Sequence, residues 1–318
     1  MTTNQHTATV GFIGLGDQGA PMAQAIGDNG FGLHVWARRP QSLDVLARTR
    51  HTVHDSPASL AAAVDILALC LRDDRDIWEV LGTPGVEDAL RPGLIVVNHG
   101  TGDPGENREI AGHLAGKEVA YLDAPVSGGG AGARVRALTT MAGGDRETYQ
   151  KCEPVFAAFS RTIAYMGPSG SGQVTKLLNN AMTMSNLDNA VDLIRLVSRL
   201  GMDVQAVIDV IDVSSGGSAI LRILSSDDMT PEIAPHIQGL MRKDIEHFAD
   251  AIRDCGLDPQ PLHDRGLAGA SGLAEAVGLL AADAGRWLPA ARPAAARSGA
   301  HRGRGSRAER AEATHSRG

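Results

Sequence analysis

Short apolar runs alternate with amphipathic segments along the first half of the chain. The runs VGFIGLG, FGLHVWA, DILALCL, LIVVNHGT and VAYLDAPV have the length of buried strands, and segments such as SPASLAAAV, DDRDIWEVL and NREIAGHLAG separate them. Ser56 is the first residue of SPASLAAAV and suits the N-cap position of a helix. Alternating strands and helices are typical of a parallel sheet with helices on both faces. The pattern therefore predicts an α/β fold with an N-terminal Rossmann domain and a mostly parallel sheet.

The pattern changes after Gly170, where only helical periodicity remains. Apolar residues recur at helical spacing from Val174 to Val197 and predict one long helix between Gly170 and Gly201. AVIDVID and PEIAPHIQGLMRKDIEHFADAIRDCG predict further helices. The turn residues at 167–170 mark a domain boundary. We therefore expect a nucleotide-binding domain over residues 8–167 and an all-helical domain over residues 168–285.

The C-terminal segment, residues 286–318, differs from the rest of the chain. It holds eight arginines, two glutamates and almost no large apolar side chains. Such a segment cannot bury a core, so we expect it to be disordered. A basic tail could contact nucleic acid or anionic lipid, but an extension without a function is the favoured interpretation.

Composition and charge exclude several classes of partner. With 318 residues, 43% apolar residues and a net charge of −7, the chain has the character of a soluble two-domain protein and gives no reason to expect a nucleic acid partner. No apolar run is long enough to span a bilayer, and the N-terminus lacks the features of a signal peptide. Cys70, Cys152 and Cys255 are too widely spaced for a zinc site or a disulfide framework. We therefore expect a cytoplasmic protein with no metal and no membrane partner.

The turn after the first apolar run carries the pattern G-x-G-x-x-G. Gly14 permits a tight turn, Gly16 lets a pyrophosphate approach the backbone next to Leu15, and Gly19 lets the following helix pack closely. The helix N-terminus then favours the phosphate charge. A glycine-rich turn without a ligand is the alternative, but the position between a strand and a helix favours a dinucleotide site.

The second predicted strand ends in Ala37, Arg38 and Arg39. A site that prefers NAD usually has a carboxylate there for the ribose hydroxyls, whereas guanidinium groups pair with the 2′-phosphate of NADP. We therefore predict NADP, with NAD as the alternative; the two arginines could also be exposed surface residues. Residues that follow later strands are candidates for the nicotinamide half of the site, namely Leu71, Arg72 and Thr101.

Three further features carry candidate chemistry. Ser127, Gly128 and Gly129 follow a predicted strand, and small residues in a tight loop can direct consecutive N–H groups at an anion such as a substrate carboxylate. Lys176 and Asn180 are four residues apart and share one face of the long helix. Lys243 and Asp244 lie in a later helix, where the lysine could contact the cofactor or the substrate. A plain turn and solvated charged side chains are the alternative interpretations.

Taken together, the chain resembles the β-hydroxyacid dehydrogenase family, which includes 3-hydroxyisobutyrate dehydrogenase, tartronate semialdehyde reductase and the more distant 6-phosphogluconate dehydrogenase. GFIGLGDQGAPMA resembles the family's cofactor loop, DAPVSGGGAGA with LTTMAGG its substrate loop, GSGQVTKLLNN its catalytic helix, and KD at residues 243–244 its fourth block. The resemblance covers roughly residues 8–280. It implies a homodimer or homotetramer that assembles through the helical domain.

The resemblance also implies roles for individual residues. Lys176 would be the catalytic residue, Asn180 would hydrogen-bond the substrate, and Thr101 and Lys243 would contact the cofactor. The serine and glycines at 127–129 would bind the substrate carboxylate. The expected reaction is hydride transfer between a nicotinamide cofactor and a small 3-hydroxy acid or its semialdehyde. The sequence specifies neither the substrate nor the physiological direction.

Two departures from the family pattern and two alternative functions remain. Asn98, His99 and Gly100 stand where many members have an acidic or serine-containing loop, and Arg136 replaces a usual glycine. An imine or other carbonyl reductase on the same fold is one alternative, although Lys176 argues against it. A non-catalytic nucleotide-binding module is the other.

Overall fold

The computed structural model describes residues 8–226 and 229–283, so the tail predicted at 286–318 lies outside the described residues. In the described part, nine strands form one sheet. They are β1 (Thr9–Ile13), β2 (Gly32–Trp36), β3 (Thr52–Val53), β4 (Ile66–Leu69), β5 (Ile95–Asn98), β6 (Ala120–Asp123), β7 (Val126–Ser127), β8 (Leu138–Gly144) and β9 (Ser160–Gly167).

The sheet has the strand order β3-β2-β1-β4-β5-β6-β8-β7, and β9 pairs with β8. The pairs that join the first six strands are all parallel. β8 runs antiparallel to β6 and β7 and parallel to β9. The prediction of a Rossmann domain with a mostly parallel sheet is therefore confirmed. The sequence pattern did not predict β8 and β9, because LTTMAGG and SRTIAYMG mix polar and small residues and lack a continuous apolar run.

Helices cover both faces of the sheet because alternate strand residues point to opposite sides. Val10 and Phe12 of β1 belong to one buried cluster, while Leu67 and Leu69 of β4 belong to the other. The covering helices are α1 (Gly19–Asp28), α2 (Pro57–Ala63), α3 (Asp74–Leu81), α4 (Val86–Ala89), α5 (Pro104–Ala115), α6 (Gly129–Arg134) and α7 (Arg146–Phe156), with a 3₁₀ helix over Pro40–Leu46. As expected, Ser56 caps α2, and its side chain accepts a hydrogen bond from the backbone N–H of Ser59.

The remaining described residues form helices α8 (Ser171–Arg199), α9 (Val204–Asp212), α10 (Ala219–Leu224), α11 (Ala234–Asp254) and α12 (Gln260–Asp283). The long central helix α8 matches the prediction to within two residues at its C-terminal end. It packs against α11 and α12. Gly269 of α12 lies directly against the backbone of α8, since a Cβ atom there would overlap the carbonyl oxygen of Met184. The helical core is thus built around α8.

Arg136 is the residue that replaces a usual glycine of the family pattern. Arg136 has a φ of +54°, in the left-handed region that glycine adopts at the lowest energetic cost. Its guanidinium group forms an ion pair with Asp28 of α1. Arg136 therefore lies on the surface and away from the cleft described below.

None of the helices in the described part of the chain is long and apolar enough to cross a membrane.

Candidate active site

The turn between β1 and α1 has the geometry of a dinucleotide-binding turn. Gly14 has a φ of +103°, and a Cβ atom there would overlap the carbonyl oxygen of Cys70. A Cβ atom at Gly19 would overlap the carbonyl oxygen of Gly14, whereas the space beside Gly16 is open. The first and third glycines are therefore required by the turn and by helix packing, and the second leaves room for a ligand. These residues fit a pyrophosphate at the N-terminus of α1.

Two adjoining clefts extend from this turn, and both include Gly16 and Leu71. The first has a volume of about 300 Å³ and lies at the ends of β1 and β2. The second has a volume of about 410 Å³ and lies between the sheet and the helical domain. Their continuity along the carboxyl ends of parallel strands suits an extended dinucleotide, with its adenosine half in the first cleft and its nicotinamide half in the second.

The first cleft is lined by Leu15, Arg38 and Arg39, together with Ala37 and Ser42. No carboxylate directly follows β2 at the position that would hold the ribose hydroxyls of NAD, and the carboxylate that lines this cleft, Asp76, belongs to α3. The Nη2 atom of Arg38 lies 3.3 Å from Oε2 of Glu79, and both side chains are exposed. An exposed ion pair of this kind contributes only about 0–1 kcal/mol, so a 2′-phosphate can displace Glu79 from Arg38.

The second cleft brings together residues from both domains. The sheet side contributes Leu71, Arg72, Thr101 and Gly129, and the helical side contributes Lys176 and Lys243. Ser127, Gly128 and Asn180 do not line it. Ser127 is half-buried in β7, and Gly128 begins the turn that leads to Gly129. The structure thus gathers most of the predicted residues in one cleft and leaves these three at its margin.

Lys176 lies in this cleft with its side chain largely buried. Burial lowers the pKa of its ammonium group, and the carboxylate of Asp244 acts in the opposite direction. No hydrogen bond or ion pair holds the Lys176 ammonium among the residues that the structure describes. A lysine whose pKa is lowered in a cleft can exchange a proton with a bound molecule near neutral pH.

Asp244 is the group that organises the neighbourhood of Lys176. It accepts a hydrogen bond of 2.8 Å from Nδ2 of Asn180 and lies 3.5 Å from Nζ of Lys243. Nδ2 of Asn179 donates to Oδ1 of Asn180. Asn180 is therefore held by Asn179 and Asp244, and its second amide N–H has no bonding partner among the residues that the structure describes. The sequence identified Asp244 only as a group that could orient a neighbour, because its partner lies 64 residues away.

Lys243 reaches from α11 to the sheet side of the cleft. Its Nζ atom donates to the backbone carbonyls of Arg72 at 3.1 Å and Thr101 at 3.4 Å. These carbonyls belong to the loops that follow β4 and β5. Lys243 therefore links the helical domain to the two loops that border the nicotinamide half of the proposed site.

Buried polar residues beneath the cleft were missed by the sequence analysis. Asp123, at the end of β6, accepts hydrogen bonds from the backbone N–H groups of Gly170 and Gln173 at 2.7 and 2.9 Å. Burial raises the pKa of Asp123 to about 6 against the effect of these bonds. Asp74 is also buried, and desolvation raises its pKa. The sequence places Asp123 at the end of a predicted strand, where functional residues of parallel sheets are common. Its contact with the start of α8 depends on the fold and could not be predicted from the sequence.

His99 lines the cleft as a neutral imidazole. Its Nδ1 atom lies 2.9 Å from the carbonyl oxygen of Ala124, and its ring packs edge-on against Phe156 and Phe159. Burial lowers the pKa of His99 to about 4. The ring therefore stays uncharged near neutral pH. Cys70, which lines the same cleft, keeps a protonated thiol, because burial raises its pKa to about 12.

Charges in the cleft suit a small anion. Among the residues that line it, Arg72, Lys176 and Lys243 are cationic, and Asp17 and Asp244 are anionic. Within the described ranges, no group of three or more His, Cys, Asp or Glu side chains is arranged to hold a metal ion. Beside the dinucleotide turn, this cleft can therefore bind a small anion, and Lys176 can exchange a proton with it.

Comparisons with known proteins agree with this geometry. The family model described as the NAD-binding domain of 6-phosphogluconate dehydrogenase matches residues 9–167, and the one described as NAD-binding of NADP-dependent 3-hydroxyisobutyrate dehydrogenase matches residues 170–263. An uncharacterised oxidoreductase of Shewanella frigidimarina is 35% identical over 64% of this chain and 71% of its own length. The NAD-dependent L-serine dehydrogenase of Pseudomonas aeruginosa is 32% identical over 71% of this chain and 76% of its own length.

A solved structure shows the same fold. The structure of 3-hydroxyisobutyrate dehydrogenase from Mycobacterium tuberculosis with L-serine superimposes with a TM-score of 0.73 at 24% identity. The superposition covers 87% of this chain and 99% of the other. The order of a Rossmann domain followed by a helical domain is therefore shared over nearly the full length of that protein.

Proposed function

Because the chain belongs to the β-hydroxyacid dehydrogenase family of NAD(P)-dependent oxidoreductases, we propose that it oxidises a small 3-hydroxy acid or reduces the corresponding semialdehyde. The cofactor is NADP, with NAD possible. The observation that carries the proposal is the position of Lys176, largely buried in the cleft that continues from the dinucleotide turn. When bound, the cofactor supplies the redox chemistry by accepting or donating one hydride.

Lys176 is proposed to move the proton. In oxidation, its neutral amine accepts the proton of the substrate hydroxyl; in reduction, its ammonium donates a proton to the carbonyl oxygen as negative charge develops there. Burial supports this role because it brings the pKa of Lys176 down towards neutrality. The carboxylate of Asp244 acts in the opposite direction and raises the pKa of Lys176.

The substrate carboxylate is proposed to bind at residues 127–129. Gly128 and Gly129 have φ angles of +128° and +60°, so consecutive N–H groups can converge on one anion. Gly129 and Lys176 both line this cleft. Asn180, fixed by Asp244, would donate its remaining amide N–H to the substrate oxygen. Ser127, which lies in β7 beside these glycines, would add its hydroxyl group to the same carboxylate.

The proposed substrates are 3-hydroxypropanoates that carry one small group at C2. 3-Hydroxyisobutyrate and L-serine share this skeleton and differ only in a methyl or ammonium group, and both occur in the names of similar proteins. A cleft of about 410 Å³ must hold this molecule together with a nicotinamide ring, so substrates of three to five carbons are favoured over larger ones.

We further propose that the protein works as a homodimer or homotetramer in the cytoplasm. Large apolar side chains are exposed on the helical domain, which supports burial against a second copy. Those on α8 and α9 are Leu178, Met182, Leu196 and Val210. Light scattering on the purified chain tests the assembly, and a monomer at micromolar concentration would contradict it.

A panel of substrates tests the reaction. NADPH and NADH oxidation would be followed with C3 to C5 semialdehydes, and NADP reduction with 3-hydroxyisobutyrate, L-serine and 3-hydroxypropanoate. Turnover of at least one acid–semialdehyde pair is expected. Cyclic imines are included because turnover of imines alone would favour the reductase alternative, which the buried Lys176 argues against.

A further inference from the structure

Gln173 is a fully buried polar residue that the proposed reaction does not use. Its side chain has 0% exposure and lies in the first turn of α8, one turn before Lys176. The Nε2 atom donates to the carbonyl oxygen of Gly100 at 2.8 Å, and Oε1 accepts from the backbone N–H of Gly102 at 3.0 Å. Its amide therefore has both a donor and an acceptor bond to one loop.

This pair of bonds resembles the pairing of two strands. In a parallel pair of strands, one residue donates its N–H to the C=O of a residue on the neighbouring strand and accepts a bond from the N–H of the residue two positions later. The residue between these two makes no bond to that partner. Gln173 provides the same pair with a single side chain. The middle residue is Thr101, which lines the cleft, and its carbonyl oxygen accepts a bond from Lys243.

Gln173 is itself fixed at its backbone. Its N–H donates to the carboxylate of Asp123 at 2.9 Å, and that carboxylate also accepts the N–H of Gly170. A rigid connection therefore runs from the end of β6 through the start of α8 to the loop after β5. Lys176 stands on the same helix, so the spacing between Lys176 and Thr101 depends on Gln173.

We infer that Gln173 is a positioning residue that sets the Gly100–Gly102 loop against the nicotinamide half of the cofactor and in register with Lys176. The inference rests on the proposed function for the identity of the ligand. It concerns cofactor binding as well as turnover, because the loop lines the cleft in which the nicotinamide half is proposed to bind.

The test uses Gln173→Leu and Gln173→Glu in the full chain. Leucine fills a similar volume but makes neither bond. An ionised glutamate accepts from Gly102 but repels the carbonyl of Gly100, whereas a protonated one donates to Gly100 and restores both bonds. Charged groups on the surrounding elements are Asp123 on β6, Asp74 on α3, Lys176 on α8 and Lys243 on α11. These groups are present in the wild type as well, so the NADPH affinity of each variant is divided by the affinity of the wild type at the same pH.

NADPH affinity is measured first, by fluorescence titration without substrate, and kcat and KM follow. Loss of two buried hydrogen bonds predicts an affinity for NADPH lower by about 5- to 100-fold in Gln173→Leu at every pH. The NADPH affinity of Gln173→Glu should be as low as that of Gln173→Leu at pH 8. It should rise towards the wild-type affinity as the pH falls to 5.5. The recovery separates positioning from a general loss of folding, which would not reverse with acid.

Leu187→Ala is the matched control, since Leu187 is buried on α8 in the helical core and away from the cleft. It should lower the urea midpoint while leaving NADPH affinity unchanged. Wild-type affinity in Gln173→Leu, or equal losses in both variants at all pH values, would overturn the inference. Absence of hydroxy-acid turnover in the wild type would contradict the proposed function instead, and the NADPH titration would still decide the case of Gln173.

Discussion

The buried carboxylate of Asp123 is expected to make the protein less stable as the pH rises from about 4 to about 6. Its pKa is raised from 3.8 to about 6 because desolvation outweighs the hydrogen bonds from Gly170 and Gln173. A shift of about two units corresponds to about 3 kcal/mol. The folded state holds a proton in this range that the unfolded state has lost, so the contribution is fully present below pH 4 and is lost as the pH rises through 6.

Asp123→Asn isolates this effect because asparagine does not titrate and resembles the protonated side chain. The free energy of unfolding would be measured by urea denaturation of both proteins at half-unit steps from pH 4 to pH 7.5. The difference, variant minus wild type, should grow by about 3 kcal/mol over this range. Other titrating groups cancel in the difference.

Parallel stability curves for the two proteins would contradict this prediction. They would mean that the hydrogen bonds at the start of α8 compensate the burial of the charge, and that Asp123 titrates near its ordinary pKa. A difference that shrinks with rising pH would have the wrong sign, and would indicate that the carboxylate stabilises the fold when ionised.

Four other substitutions, the last two of them a matched pair, have defined outcomes. Arg38→Ala should raise the KM for NADPH by about 10- to 100-fold and change the KM for NADH little, because it removes a charged hydrogen bond to the 2′-phosphate alone; steady-state kinetics with both cofactors measure the ratio. Asp244→Asn should move the acidic limb of the kcat/KM profile for oxidation to lower pH, because the carboxylate raises the pKa of Lys176; an unmoved limb would contradict this. Gly269→Ala should lower the free energy of unfolding by about 1–3 kcal/mol through overlap with α8. Gly278→Ala, on the same helix with open space around it, should raise it by about 0.5–1 kcal/mol, and equal effects in urea denaturation would contradict the packing account.

Local sequence patterns predicted the parts of the fold that local physics determines. The glycines of the cofactor turn, the Ser56 cap and the length of α8 each follow from backbone conformation or helical periodicity within a short segment. The family and the cofactor followed from the same kind of signal. β8 and β9 were not predicted, because their stability comes from pairing in the sheet and the apolar pattern is weak.

The candidate site could be predicted only in part. Lys176 and Asn180 share a helix face, so helical geometry relates them directly. The bond between Asn180 and Asp244, and the bonds of Gln173 to the Gly100–Gly102 loop, join residues more than sixty positions apart. No periodicity carries information about such contacts. They depend on how the helical domain is placed over the ends of the strands.

Lys176, largely buried in the cleft, is proposed to transfer the proton in an NADP-linked reaction of a small 3-hydroxy acid. The most direct measurement is the turnover of the substrate panel by the wild type and by Lys176→Ala, with NADPH binding measured for both. We expect the wild type to turn over an acid–semialdehyde pair with a preference for NADP, and the variant to bind NADPH normally but to lose at least about 100-fold in kcat. Undiminished turnover in Lys176→Ala would contradict the proposal.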